Sequence, residues 1–138
     1  FFVISLKMHR SPGKLNVRHS PYALSKTLKE FGVFESQADL EKREKVLEDL
    51  NQIVKHWICS TSVAQGIPEE RAKTISGGNT IYTFGSYRLG VHNPGSDIDT
   101  LCIGPRNIRR ETFYDELGSI LKQHPEVTDL NVVRDAFV

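Results

Sequence analysis

Residues 80–104, TIYTFGSYRLGVHNPGSDIDTLCIG, determine what fold this chain can adopt. Two runs of β-type residues, 80–84 and 98–104, bracket the stretch. The first run stops at Gly85-Ser86, and a short helix-like turn, YRLG, follows it. The second is entered through Asp97 and Asp99 with Ile98 between them. Residues i and i+2 of a strand share a face, so both carboxylates project from one side while Ile98 turns to the core. Two ionised carboxylates ~4 Å apart repel by about 1 kcal/mol in bulk water and about 4 kcal/mol at an effective dielectric of 20. A divalent cation removes that repulsion, and an all-oxygen donor pair suits Mg²⁺ or Mn²⁺. Taken alone, an acidic pair of this kind on an exposed strand or loop is more often a solvated pair than a metal site.

Gly85-Ser86 supplies the complementary half. Glycine lets an anion approach the backbone closely, and the start of a helix turns N–H groups toward it, so the pair has the form of a phosphate cradle. Taken alone it is also compatible with an ordinary loop glycine and a capping serine. A phosphate cradle and a carboxylate pair on two neighbouring strands would hold a nucleoside triphosphate whose metal bridges phosphate oxygens and carboxylate. That is the layout of two-metal nucleotidyl transfer. Such a site wants a third carboxylate. Asp115, Asp129 and Asp135 qualify by residue type, but none has a convincing strand context.

Before this stretch the period is helical. Ser20-Pro21 has the form of an N-cap and first helical position, with Leu24, Leu28 and Phe31 on one stripe and Gly32 at the stop. From Ser36 a long amphipathic helix carries Leu40, Leu47, Leu50, Val54, Trp57 and Ile58 on its apolar face, with Glu, Lys and Arg as the solvated face. Pro68 opens a third, short helix that ends before Gly77-Gly78. After residue 104, Phe113, Leu117, Ile120 and Leu121 space another helix, barred from extension by Pro125. Residues 130–133, LNVV, suit a third strand. The order of helices, strand, turn, strand, helix, strand predicts an α+β domain with a small mixed sheet. Arg88 is expected to brace the cradle, His92 to pack in the loop, and Arg106, Arg109 and Arg110 to be solvated ahead of the last helix.

The chain has 138 residues, 38% hydrophobic and 25% charged, with a formal net charge of +1. This is the range of one globular domain or a piece of one, with no overall field that selects or excludes nucleic acid. Cys59 and Cys102 lie in apolar runs without metal-ligand spacing, which predicts buried reduced thiols and an intracellular compartment. The opening run FFVISL is too short to span a bilayer. The chain starts at Phe1, has a single methionine at Met8 and stops in an extended-looking DAFV, so it is expected to be a fragment. Residues 1–19 are expected to form a poorly ordered or unrelated leader to the domain at 20–138.

TFGSYRLGVHNPGSDIDTLC, followed by PRNIRRETFYDEL, resembles the catalytic domain of eukaryotic nuclear poly(A) polymerases, members of the DNA polymerase β-like nucleotidyltransferase superfamily. FGVFESQADLEKREKVLEDLN resembles the helical lead-in of the same family. The resemblance implies a polymerase β-like palm, incomplete at its C-terminal side. It also implies template-independent transfer of AMP from ATP to an RNA 3′ end with release of pyrophosphate. It carries ATP contacts onto Phe84, Gly85, Ser86, Asn93, Asp97, Ile98 and Asp99. The roles of catalytic and metal-binding carboxylates fall on Asp97 and Asp99, with a third aspartate expected beyond Val138. Two Mg²⁺ or Mn²⁺ ions, polyadenylation-complex proteins as partners, no membrane and a nuclear location are implied likewise. The isolated chain is expected to be inactive. Uridylyl- or CCA-adding relatives and a truncated, non-catalytic binder of ATP or protein are the alternatives.

Overall fold

The computed structural model describes residues 2–6, 21–127 and 130. The elements run β1 (Phe2–Leu6), α1 (Pro21–Glu30), α2 (Gln37–Ala64), α3 (Glu69–Ser76), β2 (Ile81–Phe84), α4 (Gly85–Leu89), β3 (Ile98–Cys102), α5 (Arg110–Thr112), a π-helical turn (Phe113–Leu117) and α6 (Gly118–Gln123). The three strands form one sheet in the order β1-β3-β2. Both pairings are antiparallel, with Ser5 opposite Asp99 on one side of β3 and Phe84 opposite Asp99 on the other.

Helix α2, 28 residues long, is the spine. Its first turn is capped by Ser36, whose Oγ accepts from the Asp39 N–H at 3.1 Å, so one of the unpaired N-terminal donors is satisfied. It ends at Gln65 and Gly66, the latter at φ +86°, where the Ile67 N–H reaches back to the Ser62 carbonyl at 3.1 Å. Along its length Leu50, Val54, Trp57 and Ile58 are buried, and they pack with Ile81, Cys102, Ile108, Phe113, Leu117 and Leu121 into one core. The helix therefore lies against the sheet on one side and the C-terminal helical segment on the other. Trp57 is a core residue, edge-on to Phe113 at 5.9 Å, and its Nε1–H donates to Glu116 at 3.0 Å. Thr61 Oγ1 donates to the same carboxylate oxygen, also at 3.0 Å.

Three expectations need revision. Residues 2–6, expected to lie in a poorly ordered or unrelated leader, form an edge strand on β3. Alternation is hard to read in FVISL because a strand of five residues carries little periodic signal. The predicted single helix after residue 104 is interrupted by the π turn, which keeps Phe113, Leu117 and Leu121 on the core side and leaves Ile120 41% exposed. The sheet expected to be mixed is antiparallel throughout the described residues. Of the proposed strand 130–133, only Leu130 is described, and it packs on the core outside any strand. The remainder, with Asp129, Asp135 and Ser20, lies outside the described residues. Of the stripe read along α1 and just past its end, Leu24 and Phe31 are exposed and Leu28 is half-buried. Both cysteines are free thiols, Cys102 buried and Cys59 half-buried, and no described helix is long and apolar enough to cross a membrane.

Candidate functional site

Burial along β3 follows its pleat. Ile98, Thr100 and Cys102 are fully buried, whereas Asp99 and Leu101 are half-buried on the other face. Asp97 is half-buried and sits one residue before the strand, so burial alternates from Asp97 through the buried Ile98 to Asp99. At the end of the same buried row, desolvation pushes the Cys102 thiol up to about 12. That removes it from thiolate chemistry at neutral pH.

The β2–β3 register brings the Gly-Ser segment to the aspartates. Phe84 is the Cα partner of Asp99, and the chain turns immediately afterwards at Gly85, φ +66°. A Cβ built on Gly85 would stand 2.5 Å from Asp99 Oδ2. The position thus needs glycine twice over, for the left-handed backbone and for the space. Ser86 follows in α4, a helix of only five residues closed by Gly90 at φ +69°. The Gly90 N–H donates to the Tyr87 carbonyl and the Val91 N–H to the Ser86 carbonyl, both at 3.1 Å. So short a helix sums few peptide dipoles. Any affinity of this corner for an anion therefore depends mainly on the bare glycine backbone and the Ser86 hydroxyl.

From Gly90 the chain returns to β3 through a tight turn. The Ser96 N–H donates to the Asn93 carbonyl at 2.9 Å, and Pro94 and Gly95 (φ +84°) occupy the two central positions, the pattern of a type II turn. The Ser96 Oγ accepts from the Asn93 N–H at 2.9 Å. Asn93 is exposed, with its backbone committed to the turn.

Beneath the turn lies a group that the sequence did not disclose. Arg43, placed with the solvated face of α2, is completely buried. Its Nε donates to Glu35 Oε1 at 2.6 Å, and its Nη1 donates to the Ser96 carbonyl at 2.9 Å. His92 Nε2 stands 2.9 Å from the second Glu35 oxygen without the alignment of a hydrogen bond. The His92 ring packs on Tyr87 at 5.1 Å, so the histidine serves the loop, as expected. A signal for Arg43 did exist: it lies four residues before Leu47 and seven before Leu50, on the apolar stripe.

Other expected residues fall elsewhere. Arg88 is exposed and lines an open cleft of about 440 Å³ between α2 and β2, with Glu44, Asn51, Tyr82 and Thr83; none of Gly85, Ser86, Asp97 or Asp99 lines it. Arg106, Arg109 and Arg110 are exposed, and Arg110 sits over the Tyr114 ring at 5.6 Å. Asp115 is exposed on the π turn, and among the described residues no third acidic, histidine or cysteine side chain joins Asp97 and Asp99.

Residues 10–138 match the family model described as the poly(A) polymerase nucleotidyltransferase domain. Curated relatives match as well. A poly(A) polymerase of Dictyostelium discoideum is 53% identical over 115 residues, covering 83% of this chain and 14% of that protein. The nuclear poly(A) polymerase 1 of Arabidopsis thaliana is 49% identical over 116 residues, 83% of this chain and 16% of that protein. A poly(A) polymerase of Schizosaccharomyces pombe is 46% identical over 116 residues, 84% of this chain and 20% of that protein. The chain therefore spans a fifth or less of the length of these relatives.

Proposed function

Because the chain belongs to the poly(A) polymerase nucleotidyltransferase family, we propose that it forms the part of a polymerase β-like palm that receives ATP and metal. In this proposal the full polypeptide transfers AMP from ATP to an RNA 3′ end without a template and releases pyrophosphate. The observation that carries it is the approach of Gly85 to Asp99, which leaves no room for a side chain where backbone and carboxylate meet.

Asp97 and Asp99 would hold the divalent ion. Two carboxylates on one side of a strand entry, without nitrogen or sulfur donors, fit Mg²⁺ or Mn²⁺, since Mg²⁺ takes one or two protein carboxylates and completes its shell with water and phosphate. When bound, the metal supplies Lewis-acid activation of the attacking hydroxyl and charge neutralisation on the leaving phosphate. The chain's own groups bind and orient. The Gly85 backbone and the Ser86 hydroxyl would take triphosphate oxygens. Phe84 is half-buried beside Asp99 and would flank the nucleotide. Asn93, exposed at the turn, would reach it from the loop. Ile98, whose side chain is in the core, would support the site from beneath.

Residues 20–138 would be the catalytic part, with Phe2–Leu6 adding an edge strand to its sheet; the family match begins at residue 10. The third carboxylate would come from outside the described residues. RNA, polyadenylation-complex proteins and a nuclear location belong to the same proposal. The test is AMP incorporation into an RNA primer by the full natural polypeptide, offered each of the four nucleoside triphosphates in turn. ATP-selective extension that is lost in Asp99→Asn supports the proposal. Extension with UTP or CTP in preference to ATP, or an undiminished rate in Asp99→Asn, would sink it.

A further inference from the structure

We infer that Arg43 is a positioning residue for the aspartate pair, holding the peptide from which Asp97 projects; this rests on the metal role proposed for Asp97 and Asp99. The Ser96 carbonyl that accepts from Arg43 Nη1 belongs to the peptide unit whose nitrogen is that of Asp97. Asp97 itself lies outside the strand ladder, at the end of a loop, where backbone freedom is greatest. A metal ligand at a loop end gains from a fixed peptide, because backbone ordered before binding does not pay that entropy on binding.

Arg43 is fitted to provide one. It is carried by α2, the helix on which the core is built, and is completely buried. Its guanidinium is a rigid planar fork. One edge is fixed by Glu35 at 2.6 Å, which leaves Nη1 aimed at Ser96. The guanidinium Cζ stands over the ring of Tyr87, next in sequence to Ser86, 6.0 Å from the centroid, and Glu35 also faces His92 at the loop's middle. One buried cation thus hydrogen-bonds one end of the segment that links the Gly-Ser corner to Asp97 and faces an aromatic ring at the other.

Folding alone does not call for this arrangement. Apolar residues of similar volume commonly replace a buried ion pair without loss of stability. Moreover, Arg43 Nη2 is buried without a hydrogen-bond partner among the described residues, which costs stability. What an apolar substitute cannot do is donate to the Ser96 carbonyl.

The experiment uses the full natural polypeptide with a non-hydrolysable ATP analogue, and reads Mn²⁺ affinity by electron paramagnetic resonance alongside the melting temperature. Asp97→Asn serves as the reference. Two variants are compared: Arg43→Lys, which keeps the charge but cannot fork, and the double change Glu35→Leu with Arg43→Met. A folded protein whose Mn²⁺ affinity falls ~10–100-fold, as for other residues that orient metal ligands, is the expected result for both, with the double variant melting no lower than wild type. Wild-type Mn²⁺ affinity in either folded variant overturns the inference. So does failure of both variants to fold, which would assign Arg43 to stability. If Asp97→Asn itself leaves Mn²⁺ binding unchanged, the metal role has failed first, and the role given to Arg43 falls with it.

Discussion

At Gly85 a backbone requirement and a spatial one coincide, and they can be separated experimentally. An L-residue forced to φ +66° costs roughly 1–2 kcal/mol from the backbone alone. The Cβ, 2.5 Å from Asp99 Oδ2, must in addition push the carboxylate aside. Gly85→Ala should therefore lose at least that much stability in urea titration and weaken Mn²⁺ binding. A D-alanine introduced there by semisynthesis should restore much of the backbone stability, since the left-handed region is natural to it. For Asp97→Ala in the full polypeptide, loss of a metal-binding carboxylate predicts a fall of roughly 10²–10⁴-fold in the rate of AMP transfer. Single-turnover kinetics at saturating Mg²⁺ would measure it. The meeting of Gly85 with Asp99 was foreshadowed in the sequence by the Gly-Ser pair and the spaced aspartates together, since each alone also suits an ordinary loop or a solvated strand end. The role of Arg43 was not, because a charged side chain on a long helix is solvated unless the tertiary structure brings a partner to it.

Among the elements, α2 and the π turn depend on one another. Leu117 is completely buried between them, so Leu117→Ala should destabilise the protein by about 2–5 kcal/mol. Calorimetry on the full polypeptide would register it as a lower melting temperature, and a change within error would argue against this packing. Helix α3 shows a milder coupling. Its side-chain hydrogen bond to Lys73, 2.8 Å away, holds Glu69 below the usual 4.5, and the same contact holds Lys73 above 10.5. The contribution of Glu69 is present above pH 4.5 and is lost as pH falls through its lower folded value. That of Lys73 is present below pH 10.5 and is lost as pH rises through its higher folded value. Both groups are exposed, so the effect is small and screened by salt. An NMR titration of Glu69 should find a midpoint below 4.5 that returns toward 4.5 in Lys73→Ala. The helices were legible from spacing, cap and stop signals. The π turn was not, since one inserted residue leaves a pattern of apolar fours that an α-helix also shows.

For the whole molecule, the decisive arrangement is a sheet in which β3 is paired on both edges, by β2 and by β1. Pairing of neighbouring strands was legible because a short connection leaves few other partners. Pairing with β1 was not, because nothing local in residues 2–6 specifies a partner near residue 100. Removing residues 1–6 should leave α2 and its core intact but speed amide exchange along Ile98–Cys102, a result that hydrogen-exchange mass spectrometry can localise. The same topology has a consequence during synthesis. Ser5 must find Asp99 across most of the chain, and at ~5–20 residues per second the ribosome delivers β3 roughly 5–20 s after β1. Through that interval Phe2–Leu6 is a nascent apolar strand without its partner, the form of segment that chaperones bind and that seeds aggregation. The sheet that frames Asp99 thus closes only after most of the chain has been made, with α5, the π turn and α6 still to follow.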